Sequence, residues 1–189
     1  TNKELKNLFS DENIIFLAAG RLTKQKNFGY LIEEFEKFYF ENKNSRLVIL
    51  GDGEEKQKLK KLINEKKLNN VIYLLGKVDN VIRYMKDSHA FILTSKWEEM
   101  GFVIIEAALS NLFVISSNCP NGPSEFLNYG TDGILFESNQ KDALYKSLLK
   151  YNQITEKVKF NNKIQTKKNS LNFTMFRHFK ILNKILTQK

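Results

Sequence analysis

Short, almost uninterrupted apolar runs recur along this chain. Each is followed by a stretch in which apolar residues return every three or four positions. The runs are NIIFLAA (13–19), RLVIL (46–50), VIYLL (71–75), AFIL (90–93), FVIS (113–116) and ILF (134–136). Runs of this length are strands, and the lack of polar alternation means that both faces of each strand are covered. Between them, Asn27 to Lys43 carries Phe28, Leu31, Ile32, Phe35 and Phe38 at helical spacing, and Glu54 to Lys67 carries Leu59, Leu62 and Ile63. Shorter helices are expected near Asn80 to Lys86, from about Phe102 to Ser110, and near Ser124 to Leu127. Buried strands alternating with helices indicate a parallel sheet with helices on both faces. Right-handed crossovers then give an α/β fold, a doubly wound, Rossmann-like parallel sheet of about six strands.

The tail has a different pattern. Lys141 to Tyr151 is amphipathic, Glu156 to Ser170 is polar and weakly periodic, and Thr174 to Leu186 carries Phe176, Phe179, Leu182 and Ile185. The expected organisation is one domain, with a core over about 13–151 and a C-terminal helical segment over about 155–189. The last apolar stripe needs a surface to pack on.

Composition narrows the function classes. The net charge of +9 invites a nucleic-acid or membrane reading. However, the lysines are spread along most helices, and the densest cluster, Lys56 to Lys61, alternates with leucines as on a solvated helix face. No RNA-recognition signature or zinc spacing is present, so nucleic acid is not expected, and peripheral contact with an anionic membrane stays open. No apolar run reaches the length of a membrane span. A single cysteine, Cys119, cannot form an internal disulfide, which suits a reducing cytoplasm. Because the chain starts at Thr1, a processed product or an excised piece of a longer protein is expected.

In an open α/β sheet, ligands bind beyond the carboxyl ends of the strands, so the loops there carry the chemistry. After the fourth run comes Trp97-Glu98-Glu99-Met100-Gly101-Phe102-Val103-Ile104-Ile105-Glu106-Ala107. Glu98 falls in the loop, Gly101 at the junction with the next helix, and Glu106 about one turn into that helix. A helix N-terminus there offers free N–H groups to an anion, and a carboxylate beside it accepts hydrogen bonds from hydroxyls. An ordinary acidic loop before a helix has the same local sequence. Gly20-Arg21-Leu22-Thr23-Lys24-Gln25-Lys26-Asn27 follows the first strand and brings two cations, Arg21 and Lys26, to the same crevice. A polar loop with Asn27 capping the next helix is the structural alternative. Gly51-Asp52-Gly53 resembles half of a dinucleotide fingerprint but lacks the third glycine, which argues against NAD or FAD. Gly76-Lys77-Val78 is a turn able to present backbone to a base, and Pro120-Asn121-Gly122-Pro123-Ser124-Glu125 is a turn with Ser124 as an N-cap. Trp97 is expected to pack its loop. His89 and His178 stand in no triad or metal spacing, and structural roles are expected for both. No nucleophilic triad appears.

Taken in order, Gly20-Arg21-Leu22 with Lys26-Asn27, Gly51-Asp52-Gly53, Gly76, Glu98 to Glu106, and Asn121-Gly122 with Glu125 resemble the retaining glycosyltransferases of family 4. The likeness runs from about Asn13 to Tyr151 and is to the C-terminal, donor-binding half of a GT-B enzyme. It implies a hexosyltransferase that moves a sugar from a nucleotide diphosphate to a hydroxyl acceptor in cell-surface glycan synthesis. By that resemblance Arg21 and Lys26 neutralise the diphosphate, Glu98 lies beside the transferred sugar, and Glu106 holds the ribose. Backbone from Gly101 to Val103, with Met100 and Phe102, meets sugar and phosphate. Gly20 and Gly51 belong to the donor loops, and Lys77 and Val78 meet the base.

No metal and no cofactor are implied, since the nucleotide sugar is a substrate. The N-terminal, acceptor-binding half is expected to be absent from this chain, and the isolated domain to transfer little. Met100 stands where the family commonly has Pro or Phe, and Pro120-Asn121-Gly122-Pro123 replaces a more usual glycine pair. Within the same fold a nucleotide-sugar epimerase or a sugar phosphorylase remains as an alternative. From another class, a basic α/β nucleic-acid or membrane-binding module remains.

Overall fold

The computed structural model describes residues 8–9, 12–99 and 101–171. Met100, His178 and the Thr174 to Leu186 stripe lie outside the described residues. Six strands form one wholly parallel sheet: β1 (Ile14–Ala19), β2 (Ser45–Leu50), β3 (Ile72–Gly76), β4 (Ala90–Leu93), β5 (Phe113–Ser117) and β6 (Ile134–Phe136), in the order β3-β2-β1-β4-β5-β6. This is the doubly wound α/β arrangement expected from the apolar runs. Between the strands lie α1 (Phe28–Glu41), α2 (Lys56–Glu65), α3 (Val81–Lys86), α4 (Phe102–Leu109) and the short α5 (Pro123–Phe126). Two helices follow β6, α6 (Ala143–Gln153) and α7 (Glu156–Ser170).

Side chains alternate across the sheet, so each strand feeds two cores. From β1, Phe16 and Ala18 point to one layer with Leu31, Phe35 and Phe38 of α1 and Leu144, Leu148 and Tyr151 of α6. Ile15, Leu17 and Ala19 point to the other, with Met85 of α3 and Ile104, Ala107 and Ala108 of α4. Phe16 anchors the first layer, its ring edge-on to Phe38 and Tyr151, both at 5.5 Å between centroids. Such tilted pairs add to the area term of burial. At the start of the sheet His89 extends the β1–β4 pairing. Its Nδ1 accepts from the Ile15 N–H at 3.0 Å, and its own N–H donates to the Ile15 carbonyl at 2.9 Å. On the outside, α7 rests on α4 and α5, and Asn169 Nδ2 donates to the Phe126 carbonyl and to Asp132 Oδ2, each at 2.9 Å.

Two expected caps are placed differently. Asn27 precedes α1 in the left-handed region (φ 56°), and its amide donates to Asn139 Oδ1 instead of capping the helix. The short α5 begins at Pro123 with Gly122 at its N-cap, so Ser124 lies inside the helix. Proline fits a first helical position because its missing N–H would have no partner there.

Candidate functional site

Strand order reverses between β1 and β4. The helix after β1 packs on one face of the sheet, and the helix after β4 packs on the other. The crevice at such a reversal is where open α/β sheets bind ligands. Its walls are the loops after β1 (20–27) and after β4 (94–101).

Three strand ends are stacked through backbone. The Gly20 N–H donates to the Leu50 carbonyl at 3.0 Å and the Gly51 N–H to the Gly76 carbonyl at 2.8 Å. Gly51 has φ 141°, and a Cβ there would lie 1.9 Å from the Gly20 carbonyl oxygen. No other residue fits that approach, so Gly51 serves the site by holding the Gly20 loop in place. Lys77 is exposed and Val78 half-buried at the end of β3, two strands away from the crevice.

The charges meet at the reversal itself. Lys26 Nζ lies 2.6 Å from Glu98 Oε1, with the two side chains 15% and 6% exposed. Ser95 Oγ, fully buried, donates to the same carboxylate oxygen. The loop beneath is fixed at several backbone polar groups. Thr94 Oγ1 donates to the Lys26 carbonyl at 2.8 Å, Gln25 Nε2 to the Trp97 carbonyl at 2.8 Å, and Asn121 Nδ2 to the Glu98 carbonyl at 3.0 Å. The Glu98 N–H donates to the Pro120 carbonyl at 3.2 Å. Arg21 is exposed and makes no side-chain hydrogen bond or ion pair among the described residues.

Gly101 opens α4 in the left-handed region (φ 59°), a conformation that glycine adopts without a Cβ penalty. Among the described residues no side chain caps this helix, and no acid sits in its first turn, so its leading N–H groups have no side-chain partner there. Such an end carries partial positive charge. Phe102 at its start is 58% exposed, and Glu106 is exposed further along the helix. Trp97 does not pack its loop: the ring is 50% exposed, and only the backbone of Trp97 is held. Cys119 is buried near Glu98, and burial first, then that carboxylate, pushes its thiol pKa up. The thiolate needed for nucleophilic chemistry is therefore disfavoured. Among the described residues no three His, Cys, Asp or Glu side chains cluster to hold a metal, and no helix is long and apolar enough to cross a membrane.

The structure therefore brings Gly20, Arg21, Lys26, Glu98, Gly101, Phe102 and Val103 to one crevice, with Gly51 behind it. Sequence reasoning missed the serines that build it, Ser95, Ser117 and Ser138, and placed Gln25 and Asn121 in their loops without the contacts they make. The only signal was polar residues abruptly ending apolar runs, as at Thr94-Ser95 and Ser116-Ser117.

A family model described as glycosyl transferases group 1 matches residues 1–168. The chain belongs to this family. Among its relatives, an uncharacterized glycosyltransferase of Methanocaldococcus jannaschii is 38% identical over 77% of the chain and 39% of its own length. The alpha-monoglucosyldiacylglycerol synthase of Acholeplasma laidlawii is 36% identical over 78% of the chain and 36% of its own length. The chain thus spans well under half the length of these relatives. Anabaena HepE, solved in complex with UDP, superposes over 100% of the chain and 52% of its own at a TM-score of 0.84 and 20% identity. Staphylococcus aureus TarM superposes over 93% of the chain and 34% of its own at a TM-score of 0.82 and 24% identity. These likenesses show the Rossmann-like half of a GT-B fold.

Proposed function

We propose that this group 1 domain binds the nucleotide-diphosphate sugar of a retaining hexosyltransferase that builds a cell-surface glycan or glycolipid. The observation that carries the reading is the Lys26–Glu98 pair beside a start of α4 that no side chain caps among the described residues, with Arg21, also unpaired among them, on the neighbouring loop. Cations and a helix N-terminus suit a diphosphate, and a fixed carboxylate suits sugar hydroxyls. Glu98 holds the transferred sugar, Glu106 the ribose, and Lys77 and Val78 lie toward the base. Support comes from solved structures of similar fold in complex with UDP and with UDP-glucose, and from a relative named as a glycolipid synthase.

The chemistry needs no protein nucleophile. The acceptor hydroxyl attacks the anomeric carbon from the face that the diphosphate leaves, and the departing phosphate takes the hydroxyl proton. Arg21, Lys26 and the α4 N-terminus stabilise the growing diphosphate charge, a preorganised electrostatic effect. An N-terminal, acceptor-binding domain completes the enzyme. Its acceptor and the surplus positive charge together favour work at the cytoplasmic face of an anionic membrane.

A thermal-shift panel of UDP, GDP, ADP, CDP and short nucleic acids tests this. A ligand at 100 times its dissociation constant adds about 2.7 kcal/mol of stability. Stabilisation by one nucleoside diphosphate, lost in Arg21→Ala and Glu106→Ala, is expected. No nucleotide response together with salt-sensitive DNA binding would sink the proposal.

A further inference from the structure

Glu98 presents its two carboxylate oxygens very differently. Oε1 accepts from Lys26 Nζ at 2.6 Å and from Ser95 Oγ, whereas Oε2 accepts nothing among the described residues. The two donors are unlike each other. Lys26 is a long, flexible cation on a loop, 15% exposed at its side chain. Ser95 is fully buried just past the end of β4. Its own carbonyl accepts from Ser117 Oγ at 2.7 Å and Ser138 Oγ at 3.2 Å, which ties it to the ends of β5 and β6. A short side chain on a backbone anchored in this way cannot follow a ligand, whereas an ammonium on a long, flexible stem can.

We infer that Ser95 is the positioning residue that keeps Glu98 aimed at the donor sugar after Lys26 is drawn onto the diphosphate. The inference rests on the nucleotide-sugar reading above and deepens it. A donor diphosphate competes with Glu98 for the Lys26 ammonium. With Lys26 alone, engagement of the phosphates would release the carboxylate to rotate at the moment when it is needed. The Ser95 hydroxyl stays on Oε1 throughout and leaves Oε2 as the one oxygen offered to a sugar hydroxyl. A hydrogen bond to a charged group is among the stronger ones, and a fixed acceptor binds without ordering cost.

The role predicts a split between two ligands that share everything but the sugar. Calorimetry on the full chain compares UDP with UDP-glucose and GDP with GDP-mannose, in wild type, Ser95→Ala and Ser95→Thr. In Ser95→Ala the affinity for the matching nucleoside diphosphate stays within about twofold of wild type. Its sugar nucleotide weakens about tenfold, or about 1.4 kcal/mol, and Ser95→Thr restores most of it. Ser95→Cys, similar in volume but a poor donor, carries the same test if Ser95→Ala does not fold. Equal weakening of both ligands would mean that Ser95 merely holds the loop together, and unchanged affinity for both would remove it from the site. Both results overturn the positioning role. The same pair of measurements is run for any other base that the panel of UDP, GDP, ADP and CDP selects. Failure of wild type to bind any of these diphosphates or its sugar nucleotide overturns the nucleotide-sugar reading itself, and the positioning role with it.

Discussion

Lys26 and Glu98 reach each other from the two loops that flank the reversal of strand order, with Nζ 2.6 Å from Oε1. Seventy-two residues separate them in the chain, so the contact ties the β1 loop to the β4 loop across the crevice. Glu98 is 5% exposed, which makes its charge costly without a counter-ion.

Removing only the cation is therefore worse than removing both charges. Lys26→Met is expected to lower unfolding stability by about 3 kcal/mol, the cost of stranding a nearly buried carboxylate. The double variant Lys26→Met with Glu98→Gln recovers most of that loss, because Ser95 still satisfies a neutral amide oxygen. Urea unfolding of the four proteins in the cycle measures the coupling. A double variant no more stable than Lys26→Met alone would locate the cost in lysine packing instead of charge.

Two glycines are expected to respond to alanine with opposite signs. At Gly51 a Cβ would stand 1.9 Å from the Gly20 carbonyl oxygen at φ 141°. Gly51→Ala should cost roughly 3 kcal/mol through backbone strain and displacement of the Gly20 loop, weakening nucleotide binding as Arg21 and Lys26 move. Gly29, in the first turn of α1, has nothing within 4 Å of its Cβ position. Gly29→Ala should gain about 0.5 kcal/mol by restricting the unfolded chain. Thermal melts of both variants decide the pair, and a destabilised Gly29→Ala would contradict the second.

The fold was legible because its code is local. Six apolar runs became six strands, and Glu98 and Glu106 fell on either side of the α4 start as their spacing suggested. What was not legible is long-range. Glu34 interrupts the apolar stripe of α1 and is 2% exposed, yet its partners are Lys37 on its own helix and the start of α6. Nothing near it in sequence names the latter. Ser95 likewise looked like a strand-ending serine until Ser117 and Ser138 closed on its carbonyl. Trp97, expected to pack its loop, is instead half exposed, because the loop is held at its backbone by Gln25.

His89 makes stability depend on pH. Its Nδ1 must be unprotonated to accept the Ile15 N–H at 3.0 Å. Partial burial, followed by nearby Lys163, holds its pKa below the ordinary histidine value, with Lys159 adding to this and Glu156 opposing it. The unfolded chain therefore binds this proton more readily than the folded one. The contribution is fully present above the unfolded pKa of about 6.5 and is lost as pH falls through the folded value. Denaturation midpoints should decline between pH 7 and 5, and His89→Asn, whose amide oxygen can take the same N–H, should flatten that decline. An unchanged slope in His89→Asn would assign the decline to other groups.

Helix α6 is capped by another helix. Asp142 at its N-cap is left-handed (φ 61°) and caps nothing with its side chain. Instead, Glu34 of α1 accepts from the Tyr145 N–H at 3.2 Å, and the Tyr30 hydroxyl accepts from the Leu144 N–H at 3.2 Å. Lys37 bridges Glu34 at 2.5 Å and Asp142 at 2.7 Å, and those two carboxylates push its pKa up. The start of α6 thus carries a carboxylate on its positive end, as its dipole favours. Glu34→Ala removes a cap and leaves Lys37 with Asp142 as its one remaining carboxylate, at an expected cost of about 3 kcal/mol. Tyr30→Phe removes one neutral bond, at about 1 kcal/mol. Since Leu144, Leu148 and Tyr151 of α6 line the core under β1, the loss should appear first in that helix. Hydrogen exchange at the α6 amides should accelerate well before exchange in β1. Uniform acceleration across the sheet would show that Glu34 stabilises the domain globally, without the local role in capping α6.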